Sequence, residues 1–302
     1  MFLYSRAANS GDVEIMLDLF LPLSRFGAER RELERARWDR LWGKAQVQGV
    51  VVENLSSGGA TESVGMVVIA YFPPGLYDAL MATDTPLIDG LADAVQNRET
   101  LWPDEKAIGE ANAGEGLDLL TTWTGYADDG LSITDSASLR SRVVAAFSDL
   151  CAGHRIQRYT IESDDEAVVR RFEGYGLQTR RLRDGARVLC LERGRALAGT
   201  NLSMMRFFSY DPPMLGYSPG QRAVLLLARL GYTDQEIAAT LGKSPDSVKK
   251  RWSSIYARFA TTFPGRLPAA GTSARGQEKR RTLLSYLKDR PEELRPYGAV
   301  GG

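Results

Sequence analysis

Residues 217–259 read YSPGQRAVLLLARLGYTDQEIAATLGKSPDSVKKRWSSIYARF and contain three short helices whose starts and stops are encoded in the sequence. The first two begin at capping boxes, Ser218–Gln221 and Thr233–Glu236, and each ends at a glycine that suits a left-handed C-terminal position. The third begins at Ser244, which is followed by Pro245, a residue favoured at the first helical position. This stretch therefore predicts a compact all-α unit.

The third helix has two faces of different character. Four apolar residues recur at i, i+4, i+7 and i+11, the spacing of one buried stripe: Val248, Trp252, Ile255 and Phe259. At roughly 100° per residue, the opposite face holds Asp246, Lys250, Ser253 and Ala257, with Lys249 and Ser254 beside it and Arg251 and Arg258 on one shoulder. Small and basic side chains allow close approach to a DNA groove. The pattern therefore favours DNA binding over its alternative, a three-helix core element with a solvated charged face.

The same residues resemble the helix-turn-helix of LuxR (GerE) type transcriptional regulators, without a gap over residues 217–259. The resemblance implies that DNA is contacted by Ser247, Lys249, Lys250 and Ser253, and that the segment from Thr233 to Gln235 meets the DNA backbone. The helix face described above adds Arg251, Ser254 and Arg258 to the expected DNA-binding residues. The stretch is also similar to region four of sigma factors.

Charge is distributed unevenly along the chain. Its formal net charge is zero, but residues 213–302 hold 15 Lys and Arg against 7 Asp and Glu. The C-terminal part therefore carries an excess of positive charge that the preceding residues balance with negative charge. This asymmetry is typical of an acidic module joined to a nucleic-acid-binding one, although chance variation in surface composition is an alternative.

Residues suited to metal binding or catalysis are few. The only cysteines are Cys151 and Cys190, and the only histidine is His154, with no metal-ligand spacing among them. We expect Cys151 to be a small core residue and His154 to cap a helix or lie on the surface. No apolar run approaches the ~18 residues of a membrane span, and no signal peptide precedes the first helix. We therefore expect a cytoplasmic protein without a metal site, a cofactor or a membrane partner.

The N-terminal part of the chain mixes helix and strand patterns. Helices are expected at 12–21, 28–45 and, with breaks, 76–101, and strands at 47–53, 65–72 and 117–126. A helix, strand, helix and strand pair then follow at 137–152, 157–162, 165–175, 178–182 and 186–192. This order predicts one α+β domain with a mixed sheet of about five or six strands.

Residues 117–191 are similar to the second half of GNAT acyltransferases, and the segment closes with Phe172-Glu-Gly-Tyr-Gly-Leu. Those enzymes bind the pyrophosphate of acyl-CoA on a glycine-rich loop at a helix N-terminus. The matching segment at 124–132 reads TGYADDGLS, which lacks the Arg/Gln-x-x-Gly-x-Gly/Ala motif, and Asp128 and Asp129 would repel phosphate. The resemblance therefore implies a GNAT-like fold that has lost catalysis and serves as a ligand pocket or a dimerisation surface.

These patterns predict four segments. They are an α+β sensing or dimerisation domain at 1–195, a linker at 196–215, a LuxR-like helix-turn-helix domain at 216–263, and a connector with a short basic helix at 264–302. We interpret the chain as a sequence-specific DNA-binding transcriptional regulator and not an enzyme. Its expected partners are double-stranded DNA and a second copy of the chain, with RNA polymerase and a small-molecule ligand as further candidates. The alternatives are a GNAT-type acyltransferase fused to a DNA-binding domain and a sigma-factor-like protein.

Overall fold

The computed structural model describes residues 1–20, 31–44, 47–56, 59–72, 75–97, 104–127, 130–182, 185–268 and 274–298. The chain divides into two compact units, and both are discontinuous in sequence. The first unit comprises Met1–Asp104, Gly116–Ala152 and Ile156–Ser209, and the second comprises Glu105–Glu115, Gly153–Arg155 and Tyr210–Gly302. The change from one unit to the other at Ser209 falls inside the segment 196–215, for which the sequence predicts a linker.

The regular elements are as follows. The strands are β1 (Leu3–Ala7), β2 (Val47–Leu55), β3 (Thr61–Tyr71), β4 (Leu117–Tyr126), β5 (Ile156–Ser163), β6 (Gln178–Arg181) and β7 (Arg187–Glu192). The helices of the N-terminal two thirds are α1 (Val13–Phe20), α2 (Arg31–Lys44), α3 (Leu76–Thr83), α4 (Leu87–Asn97), α5 (Glu105–Ala113), α6 (Ile133–Cys151), α7 (Glu166–Gly174), α8 (Arg193–Ala198) and α9 (Leu202–Phe208). They are followed by α10 (Pro219–Arg229), α11 (Asp234–Thr240), α12 (Pro245–Thr262) and α13 (Ala274–Asp289).

The first unit is built on one mixed sheet in the order β1-β2-β3-β4-β5-β7-β6. All neighbouring strands are antiparallel except β4 and β5, which run parallel and are connected by the crossover helix α6. The predicted α+β class and mixed sheet are confirmed. The described residues form seven strands rather than five or six. The additional strand is β1, a five-residue edge strand whose sequence has no clear alternation of polar and apolar residues.

Helices cover both faces of this sheet. On one face, Met16 and Leu17 of α1 and Leu41 of α2 pack with Met66 and Val68 of β3, and none of these five is more than 2% exposed. Each such buried side chain contributes about 1.5–3 kcal/mol relative to an exposed one. On the other face, α6 lies so close to β3 that a Cβ atom at Gly65 would meet the Val143 side chain at 2.9 Å.

The segment for which the sequence predicts a linker contains the end of α8 and all of α9. Phe207 of α9 stacks on Phe147 of α6 at a ring-centroid distance of 5.5 Å and lies 5.2 Å from the Tyr159 ring of β5. Its neighbour Phe208 is fully buried. Residues up to Ser209 are therefore part of the first unit, since this aromatic cluster fastens them to the sheet.

The second unit contains the three helices predicted around residues 217–259. Both predicted capping boxes are present: the Ser218 hydroxyl accepts from the Gln221 amide, and the Thr233 hydroxyl accepts from the Glu236 amide. The third helix, α12, is capped by Ser244 as expected. These helices share one apolar core with α13, whose Leu283 and Leu287 are 0% exposed. The predicted C-terminal helix therefore packs on the protein.

Two short internal segments complete the second unit. In α5, the Asn112 amide donates to the Pro296 carbonyl oxygen at 2.8 Å, and the Gly109 carbonyl accepts from the Gly298 amide at 2.8 Å. His154, in the second segment, is 4% exposed and lies 3.4 Å from the Asn112 amide nitrogen. The expectation that His154 lies at the surface is therefore wrong. Burial lowers the pKa of its imidazole well below the ordinary value, so the ring is neutral at pH 7.

Candidate functional site

The α12 helix is held in place by its buried stripe. Val248, Trp252, Ile255 and Phe259 are each 0–5% exposed, as the helical spacing predicts. The Trp252 indole donates to the Asp234 carboxylate of α11 at 3.0 Å. This stripe sets the rotation of α12, so the residues on its opposite face point towards solvent.

The solvent face of α12 carries the central DNA-binding candidates. Lys249, Lys250 and Ser253 are exposed, and Ser247 is half-buried near the start of the helix. Lys249 makes a long ion pair of 3.5 Å with Asp246, both side chains being at least 70% exposed. The Lys250 side chain makes no ion pair or hydrogen bond with any residue that the structure describes. This face therefore presents two solvated ammonium groups beside small hydroxyl side chains.

Three other DNA-binding candidates on α12 contact the protein itself. The Arg251 guanidinium donates to the Gly220 carbonyl at 3.2 Å, and Arg258 donates to the carbonyls of Leu215, at 3.0 Å, and Gly216. The Ser254 hydroxyl accepts from the Gln221 side chain at 2.9 Å. These side chains connect α12 to the start of α10 and to the turn before it.

Thr233 and Gln235 lie at the start of α11. The Thr233 amide and hydroxyl donate to the Glu236 carboxylate at 2.7 and 2.8 Å, and these hydrogen bonds hold the pKa of Glu236 below its ordinary value. Gln235 is exposed and unobstructed among the described residues. Of this pair, Gln235 has the side chain that is available to a partner.

One contributor to this surface was missed by the sequence analysis. Arg280 of α13 donates to the Asp234 carboxylate at 3.0 Å and to the Tyr232 carbonyl at 2.7 Å, and its guanidinium lies 5.0 Å from the centroid of Trp252. A cation over an indole face is stabilising. The apolar spacing of Leu283 and Leu287 predicts that α13 packs on something, but no local pattern identifies Arg280 as the residue that contacts α11 and α12.

The first unit contains a separate cavity of about 510 Å³ where β4 and β5 part. The parallel pairing of these strands ends at Thr121 and Ile161, whereas β4 continues beside β3 to Tyr126 and β5 continues beside β7 to Ser163. We call this space the β4–β5 cavity. Its charged lining residues are Glu34, Arg37, Asp89, Glu162, Asp164, Glu166, Arg181 and Arg187.

Ion pairs organise the wall of the β4–β5 cavity. Arg37 pairs with Glu34 at 2.8 Å and also with Asp89, and the Arg37 and Glu34 side chains are each only 10% exposed. Arg187 pairs with Glu166 and holds the pKa of that carboxyl below its ordinary value. These ion pairs neutralise part of the lining, but its five carboxylates outnumber its three guanidinium groups. This charged lining differs from the predominantly apolar walls of most small-molecule pockets.

The loop between β4 and α6 is the segment from which the sequence predicts a loss of catalysis. Asp128 and Asp129 lie outside the described residues. At the helix start, the Ser132 hydroxyl donates to the Asp135 carboxylate at 2.8 Å, so an acidic side chain already occupies the first turn of α6. No group of three or more potential metal ligands occurs among the described residues. No described helix is both long enough and apolar enough to cross a membrane.

Comparisons with known proteins give the following. Neither a protein-family model nor a curated protein matches the chain. A mosquito arylalkylamine N-acetyltransferase-like 5b structure is 13% identical, with 63% of this chain and 100% of that chain covered and a TM-score of 0.35. An Arabidopsis thaliana NAA60 structure with a bisubstrate analogue is 9% identical, with 63% and 98% covered and a TM-score of 0.35. A Listeria monocytogenes GNAT family acetyltransferase is 14% identical, with 63% and 94% covered and a TM-score of 0.32. With TM-scores of 0.32–0.35, these likenesses assign neither a family nor an activity to this chain.

Proposed function

We propose that this chain is a DNA-binding transcriptional regulator whose second unit contacts duplex DNA through the solvent face of α12. The observation that carries the proposal is Lys250, a solvated cation at the centre of a helix face whose rotation is set by the buried stripe. Lys249 and Ser253 flank it, so the face offers both positive charge for phosphates and short donors for base edges. The partner is double-stranded DNA, bound by two copies of the chain, with RNA polymerase as a further contact.

The residues of this surface divide into two roles. Lys250 and Ser253 contact base edges, with Ser247, Lys249 and Gln235 at the flanking phosphates. Arg251, Ser254 and Arg258 position α12, because their polar groups bind the start of α10 and the turn before it. Thr233 acts through the helix cap that it forms with Glu236.

Selection of bound sequences from a random duplex pool by the full chain tests this proposal. We expect one preferred sequence, and we expect Lys250→Ala to weaken binding to it by about 1–3 kcal/mol with a smaller effect on unrelated duplexes. Lys288→Ala, on the exposed side of α13, is the control and should bind as the unchanged protein does. If no sequence is enriched, the proposal of sequence-specific DNA binding is wrong.

The second candidate is a GNAT-type acyltransferase that carries a DNA-binding unit. The fold of the first unit and the parting of β4 from β5 beside a cavity favour it, so the first unit supports this alternative, whereas the proposal of DNA binding rests on the second unit. Against turnover stand the absent glycine-rich motif in 124–132 and the Asp135 carboxylate at the start of α6, where a phosphate would be repelled. We propose that the first unit binds a ligand or a second copy of the chain without catalysis.

Release of free thiol from acetyl-CoA, measured with a panel of amines, separates the two candidates. We expect no rate above buffer with the full chain. A rate that saturates with acetyl-CoA and falls in Thr121→Val, at the point where β4 and β5 part, would establish the acyltransferase instead. Val144→Ala, at an exposed position of α6 outside both the cavity lining and segment 124–132, is the control for that variant.

A further inference from the structure

The second unit has another basic surface, which does not include the residues proposed to contact DNA. Arg281, Ser285 and Asp289 recur at i, i+4 and i+8 along α13, and together with Arg266 and Arg290 they border a groove of about 630 Å³. We call it the arginine groove. Its volume lies within the usual range of small-molecule sites, about 300–1,000 Å³.

The charge of the arginine groove is only partly balanced by the protein. Arg266 and Arg281 make no ion pair with any residue that the structure describes, and the Arg266 guanidinium instead lies 5.3 Å from the centroid of the Phe263 ring. Arg290 has only long contacts, 3.6 Å to Asp211 and 3.5 Å to Glu292. Three guanidinium groups therefore face a groove whose only acidic lining residue is Asp289.

The remaining lining suits an anion with a polar and a flat part. The hydroxyls of Thr282 and Ser285 lie on the α13 side of the groove, and neither makes a hydrogen bond within the described chain. The half-buried Tyr286 ring also lines the groove, and its centroid lies 5.2 Å from that of the fully buried Phe259 ring. Guanidinium groups match phosphate oxygens in geometry and charge. We propose that the arginine groove binds a free phosphate-bearing molecule of about nucleotide size.

The backbone of bound DNA would offer the same phosphate chemistry, but the geometry of α12 favours the free molecule. Phe259, which lines the groove, follows Lys250 by nine positions in the same helix. At roughly 100° per residue this separation places the two side chains about 180° apart around the helix axis. A duplex seated on Lys250 therefore lies on the side of α12 opposite the groove. The inference does not require that the chain binds DNA.

Calorimetric titration of the full chain with inorganic pyrophosphate and with ATP tests the proposal. We expect saturable binding of at least one probe, weakened at least tenfold in Arg281→Gln and in Arg266→Gln. The matched control is Lys288→Gln, which removes an exposed charge from the same helix outside the groove and should change the affinity less than twofold. All three positions are exposed or half-buried, so circular dichroism should show unchanged folding.

A parallel measurement of duplex DNA affinity against salt identifies the source of the phosphate. We expect the log–log slope to be the same in Arg281→Gln as in the unchanged protein. Absence of saturable binding by both probes, or equal affinity in the arginine variants, overturns the proposal. A slope that falls by about 0.9 in the arginine variants, without binding of either probe, overturns it in favour of the DNA backbone.

Discussion

Trp252 of α12 contacts residues of α11, α12 and α13 in the second unit. It is 5% exposed, stacks on Tyr256 at 5.4 Å, donates to Asp234 and lies beneath Arg280. We predict that Trp252→Ala lowers the free energy of unfolding by about 3–5 kcal/mol, because the cavity left behind cannot close fully. Trp252→Phe keeps most of the packing and should lose about 1–2 kcal/mol with the indole hydrogen bond. Thermal unfolding measures both, and equal transitions for Trp252→Ala and the unchanged protein would contradict the position of the stripe.

Asp12 is a buried carboxylate of the first unit, and the pH dependence of its contribution to stability has a clear sign. Its oxygens accept from Arg6 at 2.7 and 2.8 Å and from the Asn9 amide at 2.8 Å, and the hydrogen bonds from Arg6 are the main cause of its lowered pKa. A lowered folded-state pKa means that the ionised group stabilises the fold above the pKa of the unfolded chain. That contribution is lost as the pH falls through the folded-state value.

We therefore predict that Asp12→Asn lowers the free energy of unfolding by about 2 kcal/mol at pH 7. The difference from the unchanged protein should shrink as the pH falls below about 4. Urea denaturation at pH 7, 5 and 3 measures the effect. Glu62→Gln, at an exposed position, is the control and should stay within about 0.5 kcal/mol at each pH. A difference that is constant over the three pH values would show that Asp12 is not the titrating group.

The position of an individual residue can be predicted from the sequence where it depends on neighbouring residues. The buried stripe of α12 follows from helical spacing, and the caps at Ser218, Thr233 and Ser244 follow from side chains three positions from their partners. The carbonyl partners of Arg251 and Arg258 lie 31 to 43 positions earlier in the chain. No local rule supplies such a pairing, so the sequence alone could not separate protein contacts from DNA contacts on that shoulder.

At the scale of elements, long and strongly patterned segments are predictable and short ones are not. The strand expected at 117–126 has those limits as β4, and the helix–strand order from α6 to β7 follows the prediction. The missed elements are β1, α5, α8 and α9. Each is short, and what stabilises them is tertiary: β1 pairs only with β2, and α9 is fastened by the aromatic cluster of Phe147, Tyr159 and Phe207.

Gly153 belongs to the short internal segment Gly153–Arg155 of the second unit, and a substitution there tests how this segment packs. It has a φ of +80°, and a Cβ atom there would meet the backbone of Pro291 and Glu292 at 2.4–2.7 Å. We predict that Gly153→Ala destabilises the protein by about 3–5 kcal/mol, since backbone strain and a clash with backbone atoms add together. Gly265 has a φ of +79° with open space around it, so Gly265→Ala should show the strain alone, about 1–2 kcal/mol. Equal thermal transitions of the two variants would contradict this packing.

At the scale of the whole molecule, the chain departs from a simple succession of domains. The second unit includes α5 and Gly153–Arg155, which directly precede β4 and β5 in sequence. Arg222 of α10, for example, pairs with Glu105 of α5. Composition and periodicity indicate where an all-α region begins, near residue 216, but they cannot assign distant segments to it because those segments lack any shared pattern. The β4–β5 cavity likewise depends on where strand pairing stops, which the sequence does not specify.

Binding of duplex DNA by the solvent face of α12 can be tested by measuring the affinity of the full chain for duplex DNA as a function of salt. We predict a log–log slope of roughly −0.9 per contacted phosphate. The double variant Lys249→Ala, Lys250→Ala should bind at least tenfold more weakly and reduce the magnitude of that slope, while Lys288→Ala should reproduce the unchanged protein. If the double variant and the unchanged protein bind with the same affinity and the same slope, the solvent face of α12 is not the DNA-binding surface and the proposed function is wrong.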